Sequence, residues 1–174
     1  ENIHASLSSL ETLLDDLVKV SQLEAGVIEP NIRPVSLQQC FDSLKDEFTI
    51  IAQDKGLDIR LVETSTFVAT DPDLLSRIVR NLASNAIKYT PQGKVLIGCR
   101  RRADHILIQV FDTGSGIDRK DIRSIFDEFT RTNTTDAAGT GLGLSIAKGL
   151  SEALDHEISV VSIPGKGSCF SLAV

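Results

Sequence analysis

Apolar residues recur along the first 26 positions at alternating spacings of four and three. Ile3, Leu7, Leu10, Leu14 and Leu17 lead to Ser21 and Glu24, and Leu13 and Val20 widen the stripe. This heptad seam predicts one amphipathic helix suited to a coiled coil or helical bundle, with Gly26 as its stop. The following VIEPNIRPVSL, with Pro30 and Pro34, reads as an extended linker. A second pattern starts at Ser36. Leu37, Cys40, Phe41, Leu44, Phe48 and Ile51 share one face of a helix predicted over 36–55, with Ser36 as N-cap. LDIRLVE (57–63) alternates as a strand does. Residues 71–90 predict a strong helix, capped by Asp71 and started by Pro72. KVLIGCR (94–100) and HILIQVF (105–111) form a predicted hairpin. A further helix over 141–154 precedes a closing hairpin, EISVVSI and SCFSLAV around PGKG.

Helices and antiparallel hairpins in this order predict an α+β fold, a two-layer sandwich with helices on one face of a mixed sheet. The expected organisation is a partial helical domain over 1–28, a linker over 29–35 and one globular domain over 36–174. The helical seam needs a partner, either a second copy or an upstream helix. Residues 112–140 hold little periodicity, and a stretch that long inside a compact domain reads as a lid.

Composition then restricts the partners. With 18 Lys and Arg against 24 Asp and Glu the net charge is −6, which argues against nucleic acid. A bound polyphosphate would have to be held by local donors. No apolar run approaches a membrane span, and no signal peptide opens the chain, so membrane contact by these residues is not expected. The chain begins at Glu1 and reads as a fragment. Cys40, Cys99 and Cys169 form no CxxC and no Cys/His cluster, which argues against zinc and for a reduced cytosolic setting. Cys99 and Cys169 lie in alternating apolar runs and read as core thiols.

Several constellations carry chemistry. On the 72–89 helix, Asn81 and Asn85 stand one turn apart at the edge of the apolar face, with Lys88 beside them. An amide oxygen suits Mg²⁺, and a lysine suits phosphate. In DTGSGI, Asp112 ends a strand where a carboxylate can accept from an exocyclic amine, and Gly114 and Gly116 let backbone approach a flat ligand. Gly139, Gly141 and Gly143 precede and open a helix, whose free N–H groups suit an anion. No Gly-Lys-Ser/Thr follows, so this is not a Walker loop. In IFDEFTR, Phe126 and Phe129 can anchor the lid and Arg131 can reach a terminal phosphate. Each cluster alone is ordinary turn or helix chemistry. Together they supply what is needed to hold Mg–ATP.

These residues resemble a known family. NLASNAIKYT resembles the N box, DTGSGI the G1 box, IFDEFTR the F box and GTGLGL the G2 box of sensor histidine kinases. The resemblance implies an ATP-binding domain of the GHKL (Bergerat) type. It implies that Asn85 holds Mg²⁺, that Asn81 and Lys88 line the phosphate side, and that Asp112 accepts the adenine amino group. By the same likeness Gly114, Gly116, Ile117 and Tyr89 flank the base, while Phe126, Gly139, Thr140, Gly141, Leu142 and Gly143 frame the lid and phosphates. Catalytic roles fall to Asn81, Asn85, Lys88 and Arg131. Residues 1–26 look like the second helix of the dimerisation and phosphoacceptor domain. The implied partners are the upstream helix of the same protein, a second copy, and a response-regulator receiver domain.

The resemblance has gaps. The phosphoacceptor motif, His followed by Glu-Leu-Arg, is absent, and none of His4, His105 and His156 is expected to replace it. LDHEISV and GCRRR resemble hybrid kinases carrying a receiver, which these residues do not include. Hydrolytic relatives of the gyrase, chaperone and mismatch-repair branch carry a glutamate where Asn81 stands. An amide cannot take a proton from water, so fast hydrolysis is not expected. A rival from another class is a degenerate module that dimerises and docks without nucleotide.

Overall fold

The computed structural model describes residues 14, 17, 18, 20–23, 25–130 and 140–174. The seam positions Ile3, Leu7, Leu10, Leu13 and Glu24 lie outside the described residues, as does His4. The described part of the N-terminal segment is helical through Leu23. Gly26, at φ 62°, donates its N–H to the Leu23 carbonyl at 3.0 Å and ends the helix as expected. Val20 and Leu23 pack against the core, whereas Leu14, Leu17 and Val18 are exposed.

Three helices and seven strands follow. They are β1 (Arg33–Ser36), α1 (Leu37–Asp54), β2 (Asp58–Leu61), β3 (Phe67–Thr70), α2 (Pro72–Tyr89), β4 (Lys94–Arg101), β5 (Ile106–Asp112), α3 (Gly143–Ala153), β6 (Glu157–Ile163) and β7 (Gly167–Ala173). A short 3-10 turn, Ser124–Phe126, lies between β5 and α3. Five strands form a sheet in the order β2-β4-β5-β7-β6. β2 and β4 run parallel and the other neighbours antiparallel, so the sheet is mixed, as expected.

Alternation divides this sheet into two faces. Val95, Ile97, Ile108, Val110, Phe170 and Leu172 point to the helical layer and are buried. On the other face the register sets Leu96 opposite Phe111, Phe111 opposite Cys169 and Cys169 opposite Val161. Cys169 therefore belongs to the open face, beside Gln109 and Ser171, and is not the core thiol its apolar run suggested. Cys99 is half-buried with Sγ 3.1 Å from Thr64 Oγ1, and Cys40 is the buried thiol.

The helices α1 and α2 form where their caps predict. Asp71 Oδ1 accepts the N–H groups of Asp73 (2.9 Å) and Leu74 (3.0 Å), and Pro72 opens α2. The other Asp71 oxygen accepts the Asn31 N–H at 2.8 Å, tying the chain ahead of β1 to the start of α2. Burial pushes the Asp71 carboxyl up, but these N–H donors and the Arg33 charge outweigh it and hold it below the ordinary range. On α1 the apolar face ends on fully buried Ala52, and Ile51 is exposed. A 3.6-residue period carries Phe48 to 52, not 51.

Two strands were not expected. Arg33–Ser36, at the end of the expected linker, pairs antiparallel with Phe67–Thr70. Both are four residues long, too short for alternation to stand out, and Pro34 masks the first.

Candidate functional site

The strand β5 delivers Asp112 to the edge of the helical layer, where it is 4% exposed. Its Oδ1 accepts two backbone N–H groups, from Gly114 at 2.8 Å and Ser168 at 3.3 Å. Burial raises the Asp112 pKa above the ordinary carboxylate value, and the two donors only partly offset it. A nearly buried carboxylate held by one oxygen keeps acceptor capacity on the other.

The loop after Asp112 threads between two backbones. The Ser115 N–H donates to the Tyr89 carbonyl at 3.2 Å, and the Gly165 N–H to the Ser115 carbonyl at 2.7 Å. This explains two glycines differently from the sequence reading. A Cβ on Gly114 would lie 2.3 Å from the Tyr89 carbonyl oxygen, and one on Gly116, at φ 68°, would lie 2.2 Å from that of Ile163. The close approach that demands glycine is to the protein's own backbone.

Asp112, Gly116, Ile117 and Tyr89 line one cleft, and Gly114 is not among its lining residues. Ser115, Ile125, Thr130, Leu144 and Ser168 line it too and were not singled out from sequence. Ser168 sits at the start of SCFSLAV, whose alternation signals only a strand. The signal that could have found it is PGKGS, a third glycine cluster preceding a hydroxyl.

The amides lie elsewhere on the same helix. Asn81 and Asn85 are half-buried on α2, facing the start of α3. A Cβ on Gly143 would stand 3.8 Å from Asn81 Oδ1 and 3.9 Å from Asn85 Nδ2. Asn81 Nδ2 is buried without a hydrogen-bond partner. The N-cap of α3 is Leu142, which is fully buried and offers no side-chain cap. The fold thus brings first-turn N–H groups and an orphaned amide donor together, and both suit an anionic oxygen. Thr140 Oγ1 accepts the Leu142 N–H at 3.1 Å just ahead of the helix. Lys88 lies over the Tyr89 ring, Nζ 4.9 Å from the centroid.

The F box divides. Phe126 packs edge-on against Phe170, with centroids 6.4 Å apart and an interplanar angle of 83°. Phe129 does not anchor anything with its ring, being 63% exposed at φ 57°. Its backbone instead packs against Gly141, where a Cβ would lie 2.9 Å from the Phe129 Cα. Arg131 and Gly139 lie outside the described residues. Among the described residues no group of three His, Cys, Asp or Glu side chains could hold a metal ion. No described helix is long and apolar enough to cross a membrane.

Comparison with known proteins places the chain in a family. The chain is 35% identical over 98% of its length to the circadian input-output histidine kinase CikA of Synechococcus elongatus, of which it covers 24%. It is 31% identical over its whole length to the aerobic respiration control sensor protein ArcB of Escherichia coli, covering 23% of that protein. The chain therefore spans about a quarter of these relatives. Among solved structures, full-length ShkA in complex with AMPPNP superposes with a TM-score of 0.85 at 28% identity, over 95% of this chain and 35% of that one. Residues 70–174 match the profile that unites these ATPases, and they carry the amides, the buried acid and the α3 entry. The chain belongs to the histidine kinase-, DNA gyrase B- and HSP90-like ATPase family.

Proposed function

We propose that this chain is the ATP-binding catalytic part of a two-component sensor histidine kinase. Its task is to present the γ-phosphoryl group of ATP to a histidine on a dimerisation domain, for relay to a receiver aspartate. The observation that carries the reading is the pairing of two ends. A buried acid with a spare oxygen stands at one, and an uncapped helix start with an orphaned amide at the other. The first suits an exocyclic amine and the second suits phosphates. The AMPPNP bound to ShkA supports the same ligand class here.

Each residue then has a role. Asp112 accepts from the adenine amine. Ile117 and Tyr89 flank the base, and the first N–H groups of α3 with Asn81 Nδ2 receive phosphate oxygens. Lys88 and Arg131 balance the remaining negative charge. Mg²⁺ would fit the donor set, held by the amide oxygen of Asn85 together with phosphate oxygens and water, which needs no protein carboxylate cluster. When bound, it supplies charge neutralisation across the phosphates.

Asn81 favours transfer over hydrolysis, since an amide offers no base for water. The helical segment ending at Gly26 is assigned to the dimerisation domain, with the globular domain beginning at Ser36. In the longer protein the partners are a second copy and a receiver domain. The test is calorimetric titration with ADP and with AMPPNP, with and without Mg²⁺, beside incubation with γ-labelled ATP. Saturable binding without acid-labile label on this chain is expected. A folded chain that binds neither nucleotide overturns the reading in favour of a docking module. Acid-labile label on the chain itself overturns the view that its histidines are not acceptors.

A further inference from the structure

The last carbonyls of a helix have no intrahelical partner and must find donors elsewhere. At the end of α2 they belong to Ala86, Ile87, Lys88 and Tyr89. Three residues serve all four. Thr90 Oγ1 donates to the Ala86 carbonyl at 2.7 Å. The Ser115 N–H donates to the Tyr89 carbonyl at 3.2 Å. Lys55 Nζ donates to both middle carbonyls, Ile87 at 3.2 Å and Lys88 at 3.3 Å. The sequence leaves this middle place open. A continuing helix would offer the Ile87 carbonyl the N–H of residue 91, which is proline and has none. Pro91 also favours an extended Thr90, found at φ −105° and ψ 101°, so the chain leaves the helix axis there.

Lys55 is itself held in place. Just past α1 its N–H donates to the Ala52 carbonyl at 3.2 Å, the Gly56 N–H to Gln53 at 2.9 Å and the Leu57 N–H to Ala52 at 2.8 Å. The Asp58 N–H donates to the Gly93 carbonyl at 3.0 Å, tying the same stretch to the turn after α2. Asp58 pairs with Lys94 at 3.5 Å, and no ion pair among the described residues involves Lys55. Its ammonium is thus committed to the carbonyl end of α2, where positive charge is favourable.

The turn that Lys55 holds faces the cleft on its other side. Tyr89 lines the cleft with Asp112, and its carbonyl anchors the Ser115 loop. Lys88 Nζ lies over the Tyr89 ring. Lys55 is not among the lining residues. We infer that Lys55 is a positioning residue for nucleotide binding: it supplies the donor that Pro91 lacks and so fixes the turn carrying Lys88 and Tyr89. The inference rests on the nucleotide reading above.

The test has a built-in reporter, because Tyr89 is the only tyrosine and the chain has no tryptophan. Near-ultraviolet circular dichroism of the 174-residue chain therefore reads the Tyr89 surroundings, and calorimetric titration reads ADP affinity. Lys55→Met keeps the apolar stem and removes the donors. It should weaken ADP binding about fivefold and change the ligand-free Tyr89 band. Lys55→Arg, which again offers two carbonyls a charged donor, should restore both. Lys45→Met, at an exposed lysine on α1, should move neither and controls for the lost charge. A purely structural Lys55 would lower the melting temperature without moving the band or the affinity of the folded chain. Wild-type affinity in Lys55→Met overturns the inference, as does an unchanged Tyr89 band or a loss that Lys55→Arg does not restore. A wild-type chain that does not bind ADP overturns the nucleotide reading, and the positioning role falls with it.

Discussion

Replacing Asp112 by Asn separates the cost of the site from its use. The side chain is 4% exposed, and its Oδ1 receives the Gly114 and Ser168 N–H groups. An Asn carbonyl can receive both, so the loop keeps its anchor. What changes is the second atom, which turns from an acceptor into an NH₂ donor facing the exocyclic amine of the proposed adenine ligand. The lost hydrogen bond has a charged partner and is worth about 1.5–3 kcal/mol, or roughly ten- to a hundredfold in Kd. Stability moves the other way. Burial raises the Asp112 pKa, so the fold prefers the protonated acid. The favourable contribution of such a group is complete below its unfolded pKa and lost as pH rises through the folded one, so at neutral pH the ionised form costs stability. Asp112→Asn should therefore melt at or above the wild-type temperature while binding ADP far more weakly. Acidification supplies a second axis. Wild-type ADP affinity should start to fall at a pH above the ordinary carboxylate range, and this limb should be missing in Asp112→Asn. Differential scanning fluorimetry with calorimetric titration across pH reads all three. A variant that binds ADP like the wild type, or one that unfolds, refutes the reasoning.

Three other outcomes are expected. Gly116→Ala has no room beside the Ile163 carbonyl and must adopt a left-handed φ, so it should lose more than about 2 kcal/mol in urea unfolding; an unchanged midpoint contradicts the loop geometry. Asn85→Ala should lose the Mg²⁺-dependent increment in AMPPNP affinity while keeping metal-free ADP binding, and a retained increment removes Asn85 as the metal-side ligand. His156, 2.9 Å from buried Thr70 Oγ1, has its pKa lowered by burial against the opposing pull of Asp155. Its neutral form is preferred, so its contribution is present above the ordinary imidazole pKa and lost as pH falls; His156→Gln should flatten the acid side of the melting-temperature profile.

Much of this was legible because the strongest signals are local. Asp71 and Pro72 mark the start of α2 within two positions, and the β4–β5 pair alternates cleanly enough to fix both faces. The boxes also brought Asp112, Ile117 and Tyr89 to one cleft and both amides to one helix start. The misses share a cause, which is contact between residues distant in sequence. β1 and β3 exist because they pair with each other across 30 residues, not because either four-residue stretch looks like a strand. Gly114 and Gly116 are set by the carbonyls of Tyr89 and Ile163, which sequence cannot show to be neighbours. Phe129 falls off the core because its backbone turns left-handed, a property of the chain path and not of a phenylalanine. Ser162 meets Ser168 only through the β6–β7 register, which a pattern of alternation does not show.

The seat of Leu23 on α3 has a mechanical consequence. A Cβ on Gly149 would stand 2.8 Å from Leu23 Cδ1, so the N-terminal segment rests in a notch on that helix. Six residues earlier, Gly143 meets the two amides of α2. The two points are only about 9 Å apart along one continuous helix, too short a rod to bend between them. The incoming segment and the two amides therefore rest on one short, continuous helix, so a shift of α3 along its axis would change both contacts together.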